Sequence, residues 1–126
     1  MCGLGPSAEL QITTYLDRHW WVIVPVEVAG VEVIEMVLDT GSPFSSVSED
    51  TRRDLEAKGL LEKRDERRYV LRDLRVQGQR IPDLNLRMSR RATQVGAAGI
   101  LGIDFLGQYT DIHFHVPTMR LTLSRG

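Results

Sequence analysis

Met36-Val37-Leu38-Asp39-Thr40-Gly41-Ser42 is the stretch that most restricts what this chain can fold into. Three apolar residues read as the end of a buried strand, and an acid follows with no spacer. A carboxylate in that position is costly unless it is hydrogen-bonded or shares a proton. The next residues meet that demand. Gly41 lets the backbone turn sharply beside the carboxylate, and the Thr40 and Ser42 hydroxyls are local partners for it. Taken alone, the same residues also fit an ordinary Asp-Thr-Gly turn.

The flanking pattern narrows the choice. Residues 20–28, Trp20 to Val28, read as a strand, Ala29-Gly30 as a turn, and Val31 to Leu38 as the returning strand. Pro25 cannot donate to a ladder, so it marks an edge or a bulge. The hairpin delivers Asp39 to the end of a strand held on both sides, the rigidity a catalytic group needs. Trp20 and Trp21 read as core or interface anchors rather than substrate contacts. Later in the chain, Gly99-Ile100-Leu101-Gly102 sets two apolar residues before a glycine, and Ile103 to Tyr109 reads as a short helix. Asp104 reads as a helix-start acid rather than a second catalytic acid.

An apolar-apolar-Asp-Thr-Gly-Ser stretch followed by apolar-apolar-Gly resembles the retropepsin-like aspartic proteases, over roughly residues 19 to 124. The resemblance implies a mainly β fold, a closed acid-protease barrel with one or two short helices, working as a homodimer. Residues 19–126 would be the protease domain. Residues 1–18 would be either an interfacial strand or a disordered tail, with residues 10–15 as an edge strand. Asp39 would be the catalytic acid/base. Thr40 would cross the dimer interface, Gly41 would offer backbone to substrate, and Ser42 would bond the outer carboxylate oxygen. Ile100 and Leu101 would back the site, and Gly102 would permit close backbone approach.

One chain offers one such Asp and has no internal repeat, so two protomers would have to bring their Asp39 residues together. The implied activity is an aspartic endopeptidase acting on a peptide or protein, with no cofactor. The alternative keeps the fold and dimer without proteolysis, as a small-molecule enzyme reusing the Asp39 pocket or as a binding or scaffold module. Two departures from the family matter. Pro43 and Phe44 stand where the viral enzymes carry substrate-gripping acids. Residues 60–73 stand where the family has its flap, and their tip near Arg64-Asp65-Glu66 is charged and has no glycine.

The remaining pattern is simpler. Ser48 reads as an N-cap for a helix over residues 51–58, with Gly59 as its stop. Residues 74–88 read as a hairpin about Gln77-Gly78, with Arg75, Arg80 and Arg87 on a wet face. Residues 89–98 read as a loop. Ile112, Phe114 and Val116 share one face of a terminal strand, and His113 and His115 share the other, wet face. A metal site needs at least a third ligand, so none is expected there.

Charge is unevenly spread. Residues 52–91 hold 13 of the 16 Lys and Arg but 7 of the 17 acids. That excess reads first as a solvated face, and second as attraction for an acidic partner or substrate. Tyr69 is the segment's one aromatic, which argues against nucleic acid. No apolar run is long enough to span a membrane, and the N-terminus lacks a secretory pattern. With the single Cys2, these features predict a cytoplasmic protein with no disulfide of its own.

Overall fold

The computed structural model describes residues 9–87 and 89–125. The fold is mainly β. The chain opens with β1 (Glu9–Thr13) and β2 (Tyr15–Leu16), then β3 (Val22–Val28) and β4 (Glu32–Leu38). In β1, Leu10 and Ile12 alternate into the core while their neighbours face water. Residues 1–8 of the N-terminal segment lie outside the described residues. The β3–β4 hairpin pairs Val28 with Glu32 through Ile23 with Val37. Ala29 (φ 53°) and Gly30 (φ 70°) make its turn, closed by the Val31 N–H donating to the Val28 carbonyl at 3.0 Å. Two left-handed central residues match the twist of the strands they join.

Next come β5 (Ser46–Val47) and α1 (Glu49–Ala57). Ser48 caps α1 by accepting from the Thr51 N–H at 3.2 Å, Glu49 and Asp50 place negative charge in its first turn, and Gly59 ends it at φ 70°. Leu55 is the helix residue buried in the core. Strands β6 (Leu61–Lys63) and β7 (Arg68–Leu71) form a hairpin whose tip is residues 64–67. Asp65 organises that tip, accepting from the Arg67 and Arg68 backbone at 2.9 Å each. A carboxylate with two backbone donors thus fixes a tip that contains no glycine.

The strands β8 (Leu74–Val76) and β9 (Gln79–Ile81) pair about Gln77 (φ 51°) and Gly78 (φ 78°). The expected hairpin over 74–88 therefore ends at residue 81. Pro82 cannot extend the ladder, and β10 (Leu84–Arg87) leaves to pair with β7. The expected loop over 89–98 contains a short helix, α2 (Arg91–Val95). The Ser89 hydroxyl accepts from the Arg91 N–H at 3.1 Å, and Gly96 closes the helix at φ 79°. With β11 (Gly99–Leu101) and α3 (Ile103–Leu106), the described residues hold three α-helices, not one or two. The chain ends in β12 (Asp111–His115), a 3-10 turn over Val116–Thr118, and β13 (Arg120–Ser124).

Three sheets result. The largest follows β5-β11-β4-β3-β8-β9, with β2 also on β3; the others are β10-β7-β6 and β1-β13-β12. On the flank of β3 away from β4, β2 takes Val22 and Ile23 and β8 takes Glu27 and Val28. Pro25 lies in the gap between them, where no ladder needs its missing N–H. The large sheet's path is open, so the backbone ladder does not close into the expected barrel among the described residues. Side chains join one margin instead. The Gln79 amide both accepts from the Gln11 N–H (3.1 Å) and donates to the Gln11 carbonyl (2.7 Å), and Gln77 does the same at Thr13 (2.9 and 3.3 Å). Each glutamine acts as one rung of a strand, satisfying backbone groups of β1 that no β-strand pairs. One core joins all three sheets, with Phe105, Met36, Leu71, Leu86 and Leu121 among its fully buried members.

Terminal strand β12 differs from expectation. Ile112 is 50% exposed, and Val116, in the turn just beyond the strand, is 64% exposed, while Phe114 on the face of Ile112 packs partly against the core. The histidines are exposed as expected; the His115 ring lies 2.8 Å from the Thr118 hydroxyl. No group of three or more potential metal-ligating side chains is found among the described residues, and none of their helices is long and apolar enough to cross a membrane.

Candidate active site

Two adjacent strands place Asp39. β11 runs parallel to β4, pairing Gly99 with Met36, Ile100 with Val37 and Leu101 with Leu38. The ladder continues past the strand ends, because the Asp39 N–H donates to the Leu101 carbonyl at 3.0 Å. β5 pads the other side of β11. Ile100 and Leu101 are buried and form the floor on which the acid stands.

The loop after Asp39 is laced to the start of α3. The Ile103 N–H donates to the Ser42 carbonyl (2.8 Å), the Asp104 N–H to Pro43 (3.3 Å), and the Gly102 N–H to the Ser45 hydroxyl (3.1 Å). A Cβ on Gly102 would sit 2.5 Å from the Ser42 carbonyl oxygen and 2.8 Å from the Phe44 carbonyl carbon. Only glycine fits there. Asp104 completes the lacing: its carboxylate accepts from the Ser45 N–H (2.9 Å), the Ser45 hydroxyl (2.7 Å) and the Phe105 N–H (2.8 Å). Asp104 thus does more than start a helix. It holds the far end of the Asp39 loop to α3.

The carboxylate itself is well supplied with donors. The Gly41 N–H donates to Asp39 Oδ1 at 2.8 Å and the Ser42 hydroxyl to Oδ2 at 2.7 Å. Arg91 Nη2 lies 3.4 Å from Oδ2. The Ser42 hydroxyl, foremost, holds the Asp39 carboxyl below the ordinary aspartate range; burial opposes it, and the Gly41 amide and Arg91 add to the lowering. Ser42 is buried, whereas Thr40 and Gly41 are exposed at the loop's crest.

All seven residues singled out in the sequence, Asp39, Thr40, Gly41, Ser42, Ile100, Leu101 and Gly102, therefore meet at one crossing. Three others were not foreseen. Arg91 comes from the segment read as a loop; Ser89 followed by Gly96 was the available signal for a helix there. Trp21, read as an anchor, packs with Ile23, Val37 and Ala97 and lines a recess that also holds Asp39 and Arg91. Arg87, read as part of a wet hairpin face, is exposed as expected and sits over the Phe44 ring, 3.8 Å from its centroid.

The β6–β7 hairpin faces a neighbouring cleft of about 580 Å³, lined by Phe44 and Asp104 on the loop side and by Arg64, Arg68 and Tyr69 on the hairpin side. That volume is within the range of ordinary ligand sites.

No family model matches the chain, and no curated protein sequence matches it. Solved structures do. A retropepsin-like aspartic protease from Rickettsia conorii superposes with a TM-score of 0.59 at 15% identity, covering 99% of this chain and 97% of that one. The retroviral protease-like domain of Ddi1 from Leishmania major superposes with a TM-score of 0.54 at 14% identity, covering 82% and 89%. At such identities it is the fold that is shared. This chain has a retropepsin-like fold.

Proposed function

We propose that the protein is an aspartic endopeptidase whose catalytic pair is Asp39 from each of two identical protomers. The observation that carries this reading is the Asp39 carboxylate, hydrogen-bonded by Gly41 and Ser42 beside an exposed Thr40-Gly41 crest. Two carboxylates brought together across such crests cannot both ionise cheaply, so they share one proton. The ionised member takes a proton from water as that water attacks the peptide carbonyl. The protonated member donates to the carbonyl oxygen. Thr40, exposed at the crest, would brace the partner's loop with its hydroxyl. Gly41 would offer backbone to substrate.

The exposed edge of β12 supports the dimer. β12 pairs with β13 on one side only among the described residues; it carries Ile112, with Val116 just beyond it, and such edges pair readily with a second copy. Retropepsin-like solved structures support the chemistry at the level of fold.

One observation favours the second reading, a dimer of this fold without proteolysis. Arg91 reaches Asp39, and a cation there opposes the sharing of a proton. The test is cleavage of a diverse peptide pool between pH 3.5 and 7, read by mass spectrometry, with wild type and Asp39→Asn side by side. Cleavage by wild type alone supports the peptidase. A folded wild-type dimer that cleaves nothing moves the assignment to a small-molecule enzyme or binding module using the same pocket.

A further inference from the structure

The cleft between the catalytic loop and the β6–β7 hairpin is walled by arginines. Arg64 and Arg68 enter from the hairpin and Arg87 from the end of β10. Arg64 and Arg68 each have a carboxylate already, Glu62 at 3.1 Å and Asp65 at 2.6 Å. The acid on the opposite wall, Asp104, has both oxygens engaged by Ser45 and Phe105. Arg87 has no carboxylate partner among the described residues.

Its position is also fixed. The Arg87 N–H donates to the Ser45 carbonyl at 3.0 Å, tying its backbone to the strand that leaves the Asp39 loop. Its guanidinium lies on the half-exposed Phe44 ring. A guanidinium this close to a ring face is attracted to it, and its N–H donors can still reach a planar acceptor. Arg87 also lines two adjoining depressions. One holds Ser42, Pro43 and Arg91, and the other holds the hairpin tip. It therefore stands at the junction between the catalytic loop and the hairpin that would cover a bound peptide.

We propose that Arg87, laid on Phe44, is a specificity residue that accepts an Asp or Glu side chain of the substrate near the cleaved bond. Arg64 and Arg68, already paired with Glu62 and Asp65, do not supply the contact. This rests on the peptidase reading only in taking a peptide as the occupant of the cleft.

The test is binding by the non-cleaving Asp39→Asn protein, followed by fluorescence anisotropy. The probes are short labelled peptides with two central apolar residues and a single Glu, or its Gln twin, at each flanking position in turn. At one flanking position the Glu peptide should bind roughly fivefold or more tightly than its twin. Adding Arg87→Gln should bring the pair near parity, and Arg87→Lys should keep part of the preference. Equal binding of Glu and Gln twins at every position overturns the proposal. So does a preference that survives Arg87→Gln, or a protein that binds none of the peptides. Cleavage by wild type is scored on the same peptides. Cleavage without Glu preference removes this proposal and leaves the peptidase; Glu preference without cleavage does the reverse.

Discussion

Arg91 Nη2 and Asp39 Oδ2 are 3.4 Å apart, a contact that joins the first turn of α2 to the acid at the end of β4. The contact gives the site a pH dependence whose sign can be worked out. Asp39 binds its proton less readily in the folded chain than in the unfolded one, because of Ser42 foremost, then Gly41 and Arg91. Those interactions stabilise the fold above the ordinary aspartate range and are lost as pH falls through the lower folded value. In the proposed Asp39 pair, the same depression would push the singly protonated state toward acid. In Arg91→Gln one lowering influence is gone, so the pH of maximal cleavage should move upward. A pH profile of kcat/KM for both proteins checks this, and an unchanged or acid-shifted maximum contradicts it.

Gly102→Ala should unfold the site. The new methyl meets the Ser42 and Phe44 backbone, which is tied to α3 and cannot retreat. The expected loss is roughly 2–3 kcal/mol in urea denaturation. Gly41→Ala is the contrast. Its methyl meets only the Asp39 carboxylate oxygen, at 3.1 Å, which can shift. Stability should change little, while cleavage falls roughly tenfold to a hundredfold as the acid leaves its position.

Asp104→Ala leaves the buried Ser45 hydroxyl and the Ser45 N–H without their acceptor. A loss of about 2 kcal/mol is expected, measured by thermal or urea unfolding. Asp104→Asn retains an acceptor and should cost less.

How legible these relationships were depended on the range of the forces behind them. The β3–β4 hairpin, the Ser48 cap and the Gln77-Gly78 turn are written in local chemistry, and the structure has each of them where the residues indicate. The crossing of β4 with β11 was legible only through the family resemblance carried by Asp39-Thr40-Gly41-Ser42 and Ile100-Leu101-Gly102, not through periodicity or spacing. The departure of β10 from the second hairpin was harder to read. Alternation continues from Leu84 to Arg87 as though the hairpin ran on, and only Pro82 signals the break. That misreading hid Arg87, just as reading residues 89–98 as a loop hid Arg91. The closed ladder expected around the core is partly replaced by Gln77 and Gln79, an exchange of side-chain for backbone bonds that periodicity does not reveal.

Ile112→Asp should leave each protomer folded, since that side chain is half exposed, yet lower the dimer fraction at a given concentration. Charge on an unpaired edge opposes pairing with a second copy. Sedimentation velocity reads the dimer fraction and circular dichroism the fold; an undiminished dimer places the seam elsewhere.

The most direct measurement is cleavage by mixtures of wild type with increasing Asp39→Asn at constant total protein. If each active site takes one Asp39 from each of two protomers, mixed dimers are inactive and activity falls as the square of the wild-type fraction. Activity that falls in simple proportion to the wild-type fraction, or a wild type that cleaves nothing at any concentration, contradicts the shared site.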